Sequence, residues 1–478
     1  MMLFNSLEFA LFFSLTGLVY FLSPFRLRVP LLVVASYIFY ITWRWEYAFL
    51  LLAQTGINFG CGWAISCSKS QRSRSLWLAC AVVSSLGILF LFKYYNFFLD
   101  ALGFVIPASS EKTGLAAMNI AIPVGISFYT LQALGYSFDV YRGKIEREKD
   151  PVQFALFVGF FPQLLSGPIE RAGNMLKQFR PENAFDLDRM YSGLALMLWG
   201  LFKKVVIADR LAVYVNLVYN DPQGFSGPTL LLATYFFAFQ IYCDFSGYSD
   251  MAIGAARVLG YDIMTNFRLP YFADSISDFW HRWHISLSTW FRDYLYIPLG
   301  GNRGSLFRQQ ANILMVFAVS GLWHGANWTF VLWGALHGFY YILERVFGGP
   351  AARLCAILGV QGSLLKGLKI FIIFHLVTLA WVFFKARSVT DALHVLRGIF
   401  TNFGGALYLG PSQLTTLIGA SLIFLLMIVQ FFQYRGLIPL LRAERSFPIY
   451  IRWPAYAAMI FGISIFGISS NEFIYFQF

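Results

Sequence analysis

The chain has 478 residues, of which 58% are hydrophobic and 13% are charged, and its formal net charge is +12. Soluble domains carry about 25% charged residues, so this composition excludes an ordinary soluble protein. Its apolar runs approach the roughly 20 residues that cross a bilayer as a helix, and they are continuous rather than alternating. We therefore expect an all-α integral membrane protein. The scattered basic clusters indicate loops that contact membrane lipid, and no nucleic-acid partner is expected.

The cysteines and the N-terminal stretch narrow the class further. None of the five cysteines forms a C-x-x-C pair, which argues against a disulfide framework and against a thiolate zinc site. The first apolar stretch, residues 7–22, lacks a basic region before it and a small-residue cleavage motif after it. It therefore predicts a retained membrane segment rather than a signal peptide.

The first third of the chain predicts five membrane segments, at about residues 7–23, 30–43, 47–66, 76–98 and 119–139, with an outer loop at 103–117. Pro24 and Pro30 are expected to break the chain at the first turn, so the second helix would begin at Pro30. Arg26 and Arg28 place this turn on the cytoplasmic side and the N-terminus outside. The fifth segment is rich in small and polar residues, which favours an inward-facing helix that lines a cavity.

The middle of the chain predicts less regular elements. Residues 152–168 contain two prolines and predict a bent or re-entrant element. A helix is expected at about 189–221, with Lys203 and Lys204 near its middle. Because a charged lysine in contact with lipid tails costs free energy, we expect this helix to lie partly in the membrane interface, with both lysine side chains extending toward water.

The remaining segments are predicted at about residues 228–252, 366–384, 413–433 and 451–470. Arginines between the last two place residues 435–450 inside and the C-terminus outside. The total is about eleven spans plus two or three partial ones. No repeat or long linker interrupts the sequence, so a single domain over residues 1–478 is expected, with its core motifs in residues 120–345.

Four of the six histidines fall in residues 278–337, and titratable groups at membrane depth usually mark a functional site. His281 and His284 are three residues apart, so a continuous helix would place both on one face. The surrounding residues 276–296 carry too much charge to face lipid and are expected to line a cavity. His324 lies in an apolar run between Gly321 and Gly325, which permit close approach of a substrate or a break in the helix.

Histidines in such a stretch can serve metal binding, nucleophilic catalysis or general-base catalysis. Zinc needs three or four ligands, and no H-E-x-x-H pattern is present, so no metal site is expected. A G-x-S-x-G nucleophile motif is also absent from this region. A neutral imidazole that accepts a proton from a hydroxyl fits better. A structural role is expected for His337, His375 and His394.

Several separated motifs resemble those of the membrane-bound O-acyltransferase family, and the resemblance covers nearly the whole chain. Its bacterial branch includes the membrane subunits of alginate O-acetylation. The matching stretches are Asp278-Phe-Trp-His-Arg-Trp-His-Ile-Ser-Leu-Ser, Gly321-Leu-Trp-His-Gly-Ala-Asn-Trp-Thr-Phe-Val-Leu-Trp-Gly, Phe161-Pro-Gln-Leu-Leu-Ser-Gly-Pro-Ile-Glu-Arg, Asp293-Tyr-Leu-Tyr-Ile-Pro-Leu-Gly-Gly-Asn and the terminal Phe473-Ile-Tyr-Phe-Gln-Phe.

The resemblance implies a ring of about eleven tilted helices around a central funnel. The family's near-invariant histidine corresponds to His324, which would act as the base or acyl-handling group. Its second histidine corresponds to His284, which would assist by orientation or proton transfer, with His281 as the alternative. The expected substrate-binding residues are Trp280, His281, Arg282, Trp283, Trp323, Asn327 and Trp328.

The resemblance also implies an activity. An acetyl group would come from a cytoplasmic donor, with acetyl-CoA as the default and no tightly bound cofactor. It would cross the bacterial inner membrane to a periplasmic partner similar to a Ser-His-Asp (SGNH-type) hydrolase, which esterifies an exported polysaccharide such as alginate. Three alternatives stay open: D-alanyl or other acyl transfer to an envelope polymer, transport of a donor or saccharide without chemistry, and a scaffold role in a polysaccharide synthase.

Overall fold

The computed structural model describes residues 2–105, 122–180, 183–438, 448–468 and 473–474. Within these ranges the regular structure is entirely helical, which confirms the all-α prediction. Most of the predicted outer loop and the last four residues of the terminal motif lie outside the described residues.

The chain forms two compact units, one of Met1–Gly193 with Ala255–Met264 and one of Leu194–Gly254 with Thr265–Phe478. The helices of the first unit are α1 (Leu7–Leu22), α2 (Phe25–Ile41), α3 (Tyr47–Cys67), α4 (Gln71–Leu89), α5 (Tyr95–Val105), α6 (Ile126–Tyr141), α7 (Pro151–Gly159), α8 (Phe161–Leu164) and α9 (Ala172–Gln178).

The second unit contains the central stretch and the C-terminal helices. The chain passes from the first unit to the second within α10 and runs through both in α12. The helices from here on are α10 (Leu187–Phe202), α11 (Asp209–Asn220), α12 (Gly227–Val258), α13 (Ile276–Arg282), α14 (Ile285–Phe291), α15 (Leu306–His324), α16 (Trp328–Ile357), α17 (Gly362–Lys385), α18 (Val389–Thr401), α19 (Gln413–Tyr434) and α20 (Ile449–Phe466).

Seven helical stretches of the described chain are long and apolar enough to cross a membrane, which agrees with a multi-pass membrane protein. They are Tyr47–Cys67, Gln71–Leu102, Leu187–Asn220, Gly227–Val258, Gly362–Lys385, Gln413–Tyr434 and Ile449–Phe466. Two shorter apolar stretches, Leu7–Leu22 and Pro151–Leu164, accompany them. The total of eleven spans stays a prediction.

The second helix begins earlier than predicted. Pro24 caps the helix, the first helical residue is Phe25, and Pro30 lies inside the helix, so the predicted start at Pro30 is wrong. A proline here removes only the hydrogen bond to the carbonyl four residues back, and that carbonyl belongs to the first turn. Membrane helices tolerate such a loss when neighbouring groups satisfy the carbonyl.

The fifth predicted segment is an inward-facing helix, as its polar residues indicated. Nearly every residue of α6 is buried, and its polar side chains meet those of α3 and α4. The Ser137 hydroxyl donates to Asn58 Oδ1 at 2.8 Å, and the Asn58 amide donates to Ser85 Oγ at 3.0 Å. The predicted bent element is also present, because α7 ends at Gly159 and α8 begins at Phe161, with the non-helical Phe160 between them.

The prediction that Lys203 and Lys204 reach toward interfacial water is wrong. Their residues are only 3% and 1% exposed. Lys203 Nζ lies 2.7 Å from Asp250 Oδ2, and Lys204 Nζ lies 2.8 Å from Asp209 Oδ1 and 2.7 Å from Asp244 Oδ1. The three carboxylates replace water as partners, which lets both ammonium groups stay inside the protein.

A close helix contact allows this arrangement. A Cβ on Gly247 of α12 would lie 2.7 Å from the carbonyl oxygen of Gly200 on α10, and 3.3 Å from the backbone nitrogen of Lys204. Only glycine fits at such a crossing, as is common between membrane helices. Immediately after it, Lys203–Ala208 wind as a π-helix, which brings the lysines beside the aspartates of α12.

Helices α15 and α16 pack as a hairpin that fixes the position of His324. A Cβ on Gly321 would overlap the backbone carbonyl of Phe330, and one on Gly334 would overlap that of Phe317. The two glycines therefore let the helix backbones touch. The room at Gly321 is filled by the neighbouring helix rather than by a substrate, and α15 ends at His324 with Gly325 as its cap.

Candidate functional site

The central stretch breaks at the second histidine. Helix α13 ends at Arg282, Trp283 is extended, and His284 has a left-handed backbone with φ 44° and ψ 53° before α14 begins. The prediction that His281 and His284 share one helical face is therefore wrong. Left-handed backbone is uncommon for a residue with a Cβ and often marks a functional position. The break turns the His284 side chain into the protein, where the residue is 0% exposed.

Asn266 holds the His284 ring. The Nδ1 of His284 lies 3.1 Å from Asn266 Oδ1, and the same oxygen accepts a 2.9 Å hydrogen bond from the Ser286 hydroxyl. The Asn266 amide donates to Ser249 Oγ at 3.2 Å, which fixes its oxygen toward the histidine. Nδ1–H of His284 is therefore the donor, and Nε2 is the nitrogen that carries the lone pair.

His284, which lies outside the seven spanning helices, is held as a neutral base. Burial removes the water that would solvate an imidazolium, and this lowers the pKa of His284 to about 3. A neutral imidazole with a defined tautomer can accept a proton at Nε2 or donate one at Nδ1.

The structure places His324 next to His284. The two ring centroids are 6.3 Å apart, although 40 residues separate them in the sequence. His324 is the last residue of α15 and is 2% exposed. Trp323 lies beside both, with its ring centroid 4.9 Å from that of His324 and 5.9 Å from that of His284. These three predicted site residues form one group, which we call the histidine pair with Trp323.

Aromatic rings surround the histidine pair. Trp333 and Phe384 meet His324 edge to face, with centroid distances of 5.0 and 5.5 Å. Phe245 meets His284 in the same way at 4.7 Å. Such walls exclude water and carry no counter-charge, so electrostatic interactions between groups inside them are stronger than in solvent.

A cavity of about 290 Å³ lies in the same unit. Trp280 and Ser320 are part of its lining, and Ser320 is one helical turn before His324 on α15. The Trp280 ring also lies 5.8 Å from Trp333, which itself contacts His324. Other lining residues are His281, Thr289, Arg292 and Tyr341. The predicted cavity at residues 276–296 is thus present, and its wall continues into the aromatic rings around His324.

Two of the predicted binding residues line this cavity, and four have other contacts. Trp280 and His281 line it. Arg282 forms an ion pair with Asp278 across one turn, with 2.8 Å between Nε and Oδ2. Trp283 is fully buried in an aromatic core, with ring centroids 4.9 Å from Trp381 and 5.0 Å from Phe267 among its neighbours.

The last two predicted residues lie at the start of α16. Asn327 caps this helix, because its side chain accepts a 3.0 Å hydrogen bond from the backbone N–H of Thr329 and donates to the carbonyl of Arg387. Trp328 is 57% exposed. Neither of these residues lines the cavity, and neither do Arg282 and Trp283.

Two residues to which the sequence analysis gave no role, Asn266 and Trp333, belong to the site, and His337, for which a structural role was expected, borders it. Asn266 orients His284, Trp333 packs on His324, and His337 lies behind Trp333 at 5.1 Å between ring centroids. His337 and Trp333 are one helical turn apart in α16, so the helical spacing from Trp333 could have placed His337 on this face. Nothing in the spacing around Asn266 indicates its contact with His284.

The described residues contain no group of three or more His, Cys, Asp or Glu side chains arranged to hold a metal ion. The histidine pair brings two buried imidazoles together among aromatic rings, and Asn266 orients the ring of His284.

Comparison with known sequences agrees with this reading of the motifs. The sequence model of the MBOAT, membrane-bound O-acyltransferase family, matches residues 145–356, which include the histidine pair, Asn266 and the cavity.

The chain is also similar to curated proteins over most of its length. It is 39% identical to "Probable alginate O-acetylase AlgI" of Azotobacter vinelandii over 91% of this chain and 85% of that protein. The protein of the same name from Pseudomonas aeruginosa is 39% identical over 87% of this chain and 78% of its own. "Peptidoglycan O-acetyltransferase" of Helicobacter pylori is 35% identical over 83% and 80%, respectively.

Proposed function

Because the chain belongs to the membrane-bound O-acyltransferase family, we propose that it transfers acetyl groups for the O-acetylation of an exported polysaccharide. The relatives that match along most of its length are named for O-acetylation of two envelope polymers, alginate and peptidoglycan. Alginate, or a similar exported uronate polymer, is the first candidate acceptor, and peptidoglycan is the second.

The observation that carries the proposal is the geometry of the histidine pair. His284 and His324 come from distant parts of the sequence, yet their rings lie 6.3 Å apart in a buried aromatic pocket. Burying an imidazole costs free energy unless hydrogen bonds compensate, and His284 has such a bond with Asn266. The cavity lined by Trp280 and Ser320 lies beside Trp333, which packs on His324, and is the route that we propose for a substrate.

The reaction we propose is acyl transfer from a thioester to a hydroxyl. His324 accepts the proton of the attacking hydroxyl as its oxygen bonds to the carbonyl carbon of the thioester. The carbon–sulfur bond then breaks, and the proton on His324 passes to the leaving sulfur. His284, held by Asn266, orients the reacting groups through its own imidazole. General-base assistance of this kind contributes about 10²–10⁴-fold in rate.

The cavity beside Trp280 is the proposed site for the arm of the acyl donor, with acetyl-CoA as the default donor. Its volume of about 290 Å³ is close to the lower end, about 300 Å³, of typical small-molecule pockets. Arg292 and His281 at the lining supply polar contacts, and Phe317 and Ile313 supply apolar ones. The acetyl end would lie toward Ser320, one turn from His324.

The proposed setting is the bacterial inner membrane, with both termini on the periplasmic side. A periplasmic partner of the Ser-His-Asp hydrolase type would receive the acetyl group and form the final ester on the polymer. The route of the acetyl group from cytoplasm to periplasm through one membrane protein is consistent with a buried site inside a multi-pass chain.

The proposal is tested by acetyl content in a strain that lacks this chain. Exopolysaccharide and peptidoglycan are purified in parallel from deletion, vector and complemented strains, and O-acetyl groups are counted by proton NMR. We expect one polymer to lose its acetyl groups at unchanged yield and to regain them on complementation. Loss of the polymer itself would favour the scaffold role instead, and unchanged acetylation of both polymers would contradict the proposal.

A second arm tests the donor. Membrane vesicles that contain the chain are supplied with acetyl-CoA labelled in the acetyl group, and label is followed into polymer or into the partner protein. Incorporation that requires His324 supports acetyl-CoA. Incorporation only from an acylated carrier protein would replace the donor and leave the acetyl-transfer assignment in place.

A further inference from the structure

A basic hollow lies in the first unit, away from the histidine pair in sequence. It has a volume of about 590 Å³, and its basic lining residues are Arg74, Lys144, Arg147 and Lys149. Glu146 is the acidic residue in the lining. We call this site the basic hollow. It has no part in the proposed acetyl transfer and does not depend on it.

The ends of three helices form the basic hollow. Helix α3 ends at Cys67, α4 begins at Gln71, and α6 ends at Tyr141. Both α3 and α4 belong to stretches that are long and apolar enough to cross a membrane. The hollow therefore lies where membrane helices reach the lipid headgroups, and the positive-inside rule predicts that this is the cytoplasmic surface.

The hollow has a surplus of positive charge, because its four basic side chains outnumber Glu146 in the lining and Asp139 beside Lys144. Lys144 has a carboxylate, Asp139, at 3.9 Å. Within the described part of the chain, no carboxylate forms an ion pair with Arg74, Arg147 or Lys149. A concave site with unneutralised cations attracts an anion, because concave walls focus the field.

The two guanidinium groups are held in place without an anion. The Arg74 guanidinium lies 5.7 Å from the centre of the Tyr141 ring and donates to the Tyr141 carbonyl at 2.7 Å. The Arg147 guanidinium lies 5.7 Å from the centre of the Trp63 ring. Guanidinium groups stacked on aromatic rings keep N–H donors that suit the oxygen atoms of a phosphate, and little entropy is lost when these donors bind.

The surroundings favour a lipid over a soluble phosphate compound. Trp63 is 53% exposed, and Leu76 and Trp77 near the start of α4 are 64% and 43% exposed. Tryptophan is enriched where membrane helices meet the headgroups. A ligand with a phosphate in the hollow would therefore have apolar protein surface beside it for its acyl chains.

We propose that the basic hollow binds the phosphate headgroup of an anionic membrane phospholipid. Clusters of Lys and Arg immediately beside membrane helices are the sites where anionic headgroups bind to membrane proteins. The guanidinium groups of Arg74 and Arg147 and the surplus positive charge would attract the headgroup. The exposed tryptophans at the helix ends would place the hollow at the depth where the headgroup lies.

The experiment uses full-length protein purified in detergent. Dioleoyl phosphatidylglycerol, dioleoyl phosphatidylcholine, inorganic phosphate and coenzyme A are titrated separately, and the melting temperature and lipid-bound masses by native mass spectrometry are measured. The variant is Arg74→Gln/Arg147→Gln/Lys149→Gln. The matched control, Arg353→Gln/Lys366→Gln/Lys369→Gln, removes the same charge from exposed positions of the second unit.

We expect phosphatidylglycerol to raise the melting temperature and to remain bound, and phosphatidylcholine to do neither. The hollow variant should lower the apparent affinity for phosphatidylglycerol by about tenfold or more, because the loss of charge-assisted hydrogen bonds weakens phosphate binding. The control should bind as the wild type does. If the triple variant does not fold, Lys149→Gln alone, at an exposed position, is compared in the same titration and should also weaken binding.

Three results would overturn the proposal. One is equal affinity of the hollow variant and the wild type for phosphatidylglycerol. The second is an equal loss in the control variant, which would mean that net charge alone attracts the lipid. The third is stabilisation by coenzyme A or inorganic phosphate without phosphatidylglycerol binding, which would assign the hollow to a soluble phosphate ligand.

Discussion

Two clusters of titratable side chains are buried in the second unit, and they differ in how their polarity is satisfied. The lysine–aspartate cluster consists of Lys203, Lys204, Asp209, Asp244 and Asp250, and each lysine lies within 2.8 Å of at least one carboxylate oxygen. The histidine pair meets aromatic ring edges and the amide of one asparagine.

We propose that this difference separates a scaffold from a reaction site. Each lysine of the lysine–aspartate cluster is paired with one or two of its three carboxylates, and the backbone N–H of Ile474 donates to the second oxygen of Asp244 at 2.7 Å. The cluster therefore joins helices and the C-terminal segment. The histidine pair contains no opposite charges, and burial favours the neutral imidazole of His284, so the Nε2 lone pair of that ring is not taken up by a proton. The comparison predicts that one cluster is needed to fold and the other to react.

The largest effect should come from removal of His324. We expect His324→Ala to lower acetyl transfer by about 10²–10⁴-fold, the range for loss of a general base, with normal levels of folded protein. Polymer acetylation is measured by NMR at matched membrane levels. His375→Ala serves as the control, because His375 is half-buried and its ring hydrogen-bonds to the carbonyl of Phe371 in its own helix. If His324→Ala folds and retains full transfer, the histidine pair is not the reaction site.

Substitution of Lys204 should have the next largest effect, on folding. Lys204→Met leaves Asp209 and Asp244 buried without their cation, which costs about 3–5 kcal/mol. We expect little monodisperse protein after detergent extraction, measured by fluorescence-detected size exclusion. Lys204→Met/Asp209→Asn/Asp244→Asn should recover folded protein, because no net buried charge remains and an Asn oxygen can still accept from Ile474. A stable single variant would show that the cluster is not a scaffold.

Removal of Asn266 should give an intermediate effect on transfer. Asn266→Ala takes away the acceptor for Nδ1–H of His284 and for the Ser286 hydroxyl, at a cost of about 1–3 kcal/mol in stability for the unsatisfied groups. Transfer per folded molecule should fall by about tenfold. Asn266→Asp should restore much of it, because a carboxylate also accepts from Nδ1–H. Equal losses in both variants would assign Asn266 to packing alone.

The smallest effect is expected at Arg282. Its ion pair with Asp278 is partly exposed, with side chains 24% and 27% accessible, and such pairs contribute about 0–1 kcal/mol. Arg282→Gln should therefore leave both transfer and melting temperature close to wild type. If Arg282→Gln folds but loses transfer, Arg282 belongs to the substrate site, as the sequence analysis predicted.

The class of the protein was predictable from the sequence, and the structure brings together the two histidines that the motifs singled out. Apolar length indicates spanning helices, and the motifs around His284 and His324 are specific. The meeting of their rings follows from the family resemblance and not from local pattern. The left-handed backbone at His284 could not be predicted, because helical spacing assumes that the helix continues through Trp283.

The lysine–aspartate cluster shows why some features escape sequence reasoning. Lys203 and Lys204 lie in the middle of a predicted helix, and from the local sequence alone their charged side chains are expected to extend toward water. Their partners Asp244 and Asp250 lie 40 or more residues away, on a helix that approaches through Gly200 and Gly247. Only the packing of the two helices reveals that the charges meet. Asn266 was missed for the same reason, since its contact with His284 spans two loops.

The most direct test of the account compares the two clusters in one measurement. Acetyl transferred per folded molecule is determined side by side for wild type, His324→Ala and the neutralised variant Lys204→Met/Asp209→Asn/Asp244→Asn. We expect near-zero transfer for His324→Ala and transfer close to wild type for the neutralised variant. The reverse result, with transfer surviving at His324→Ala and lost on neutralisation, would place the chemistry in the lysine–aspartate cluster and contradict the account.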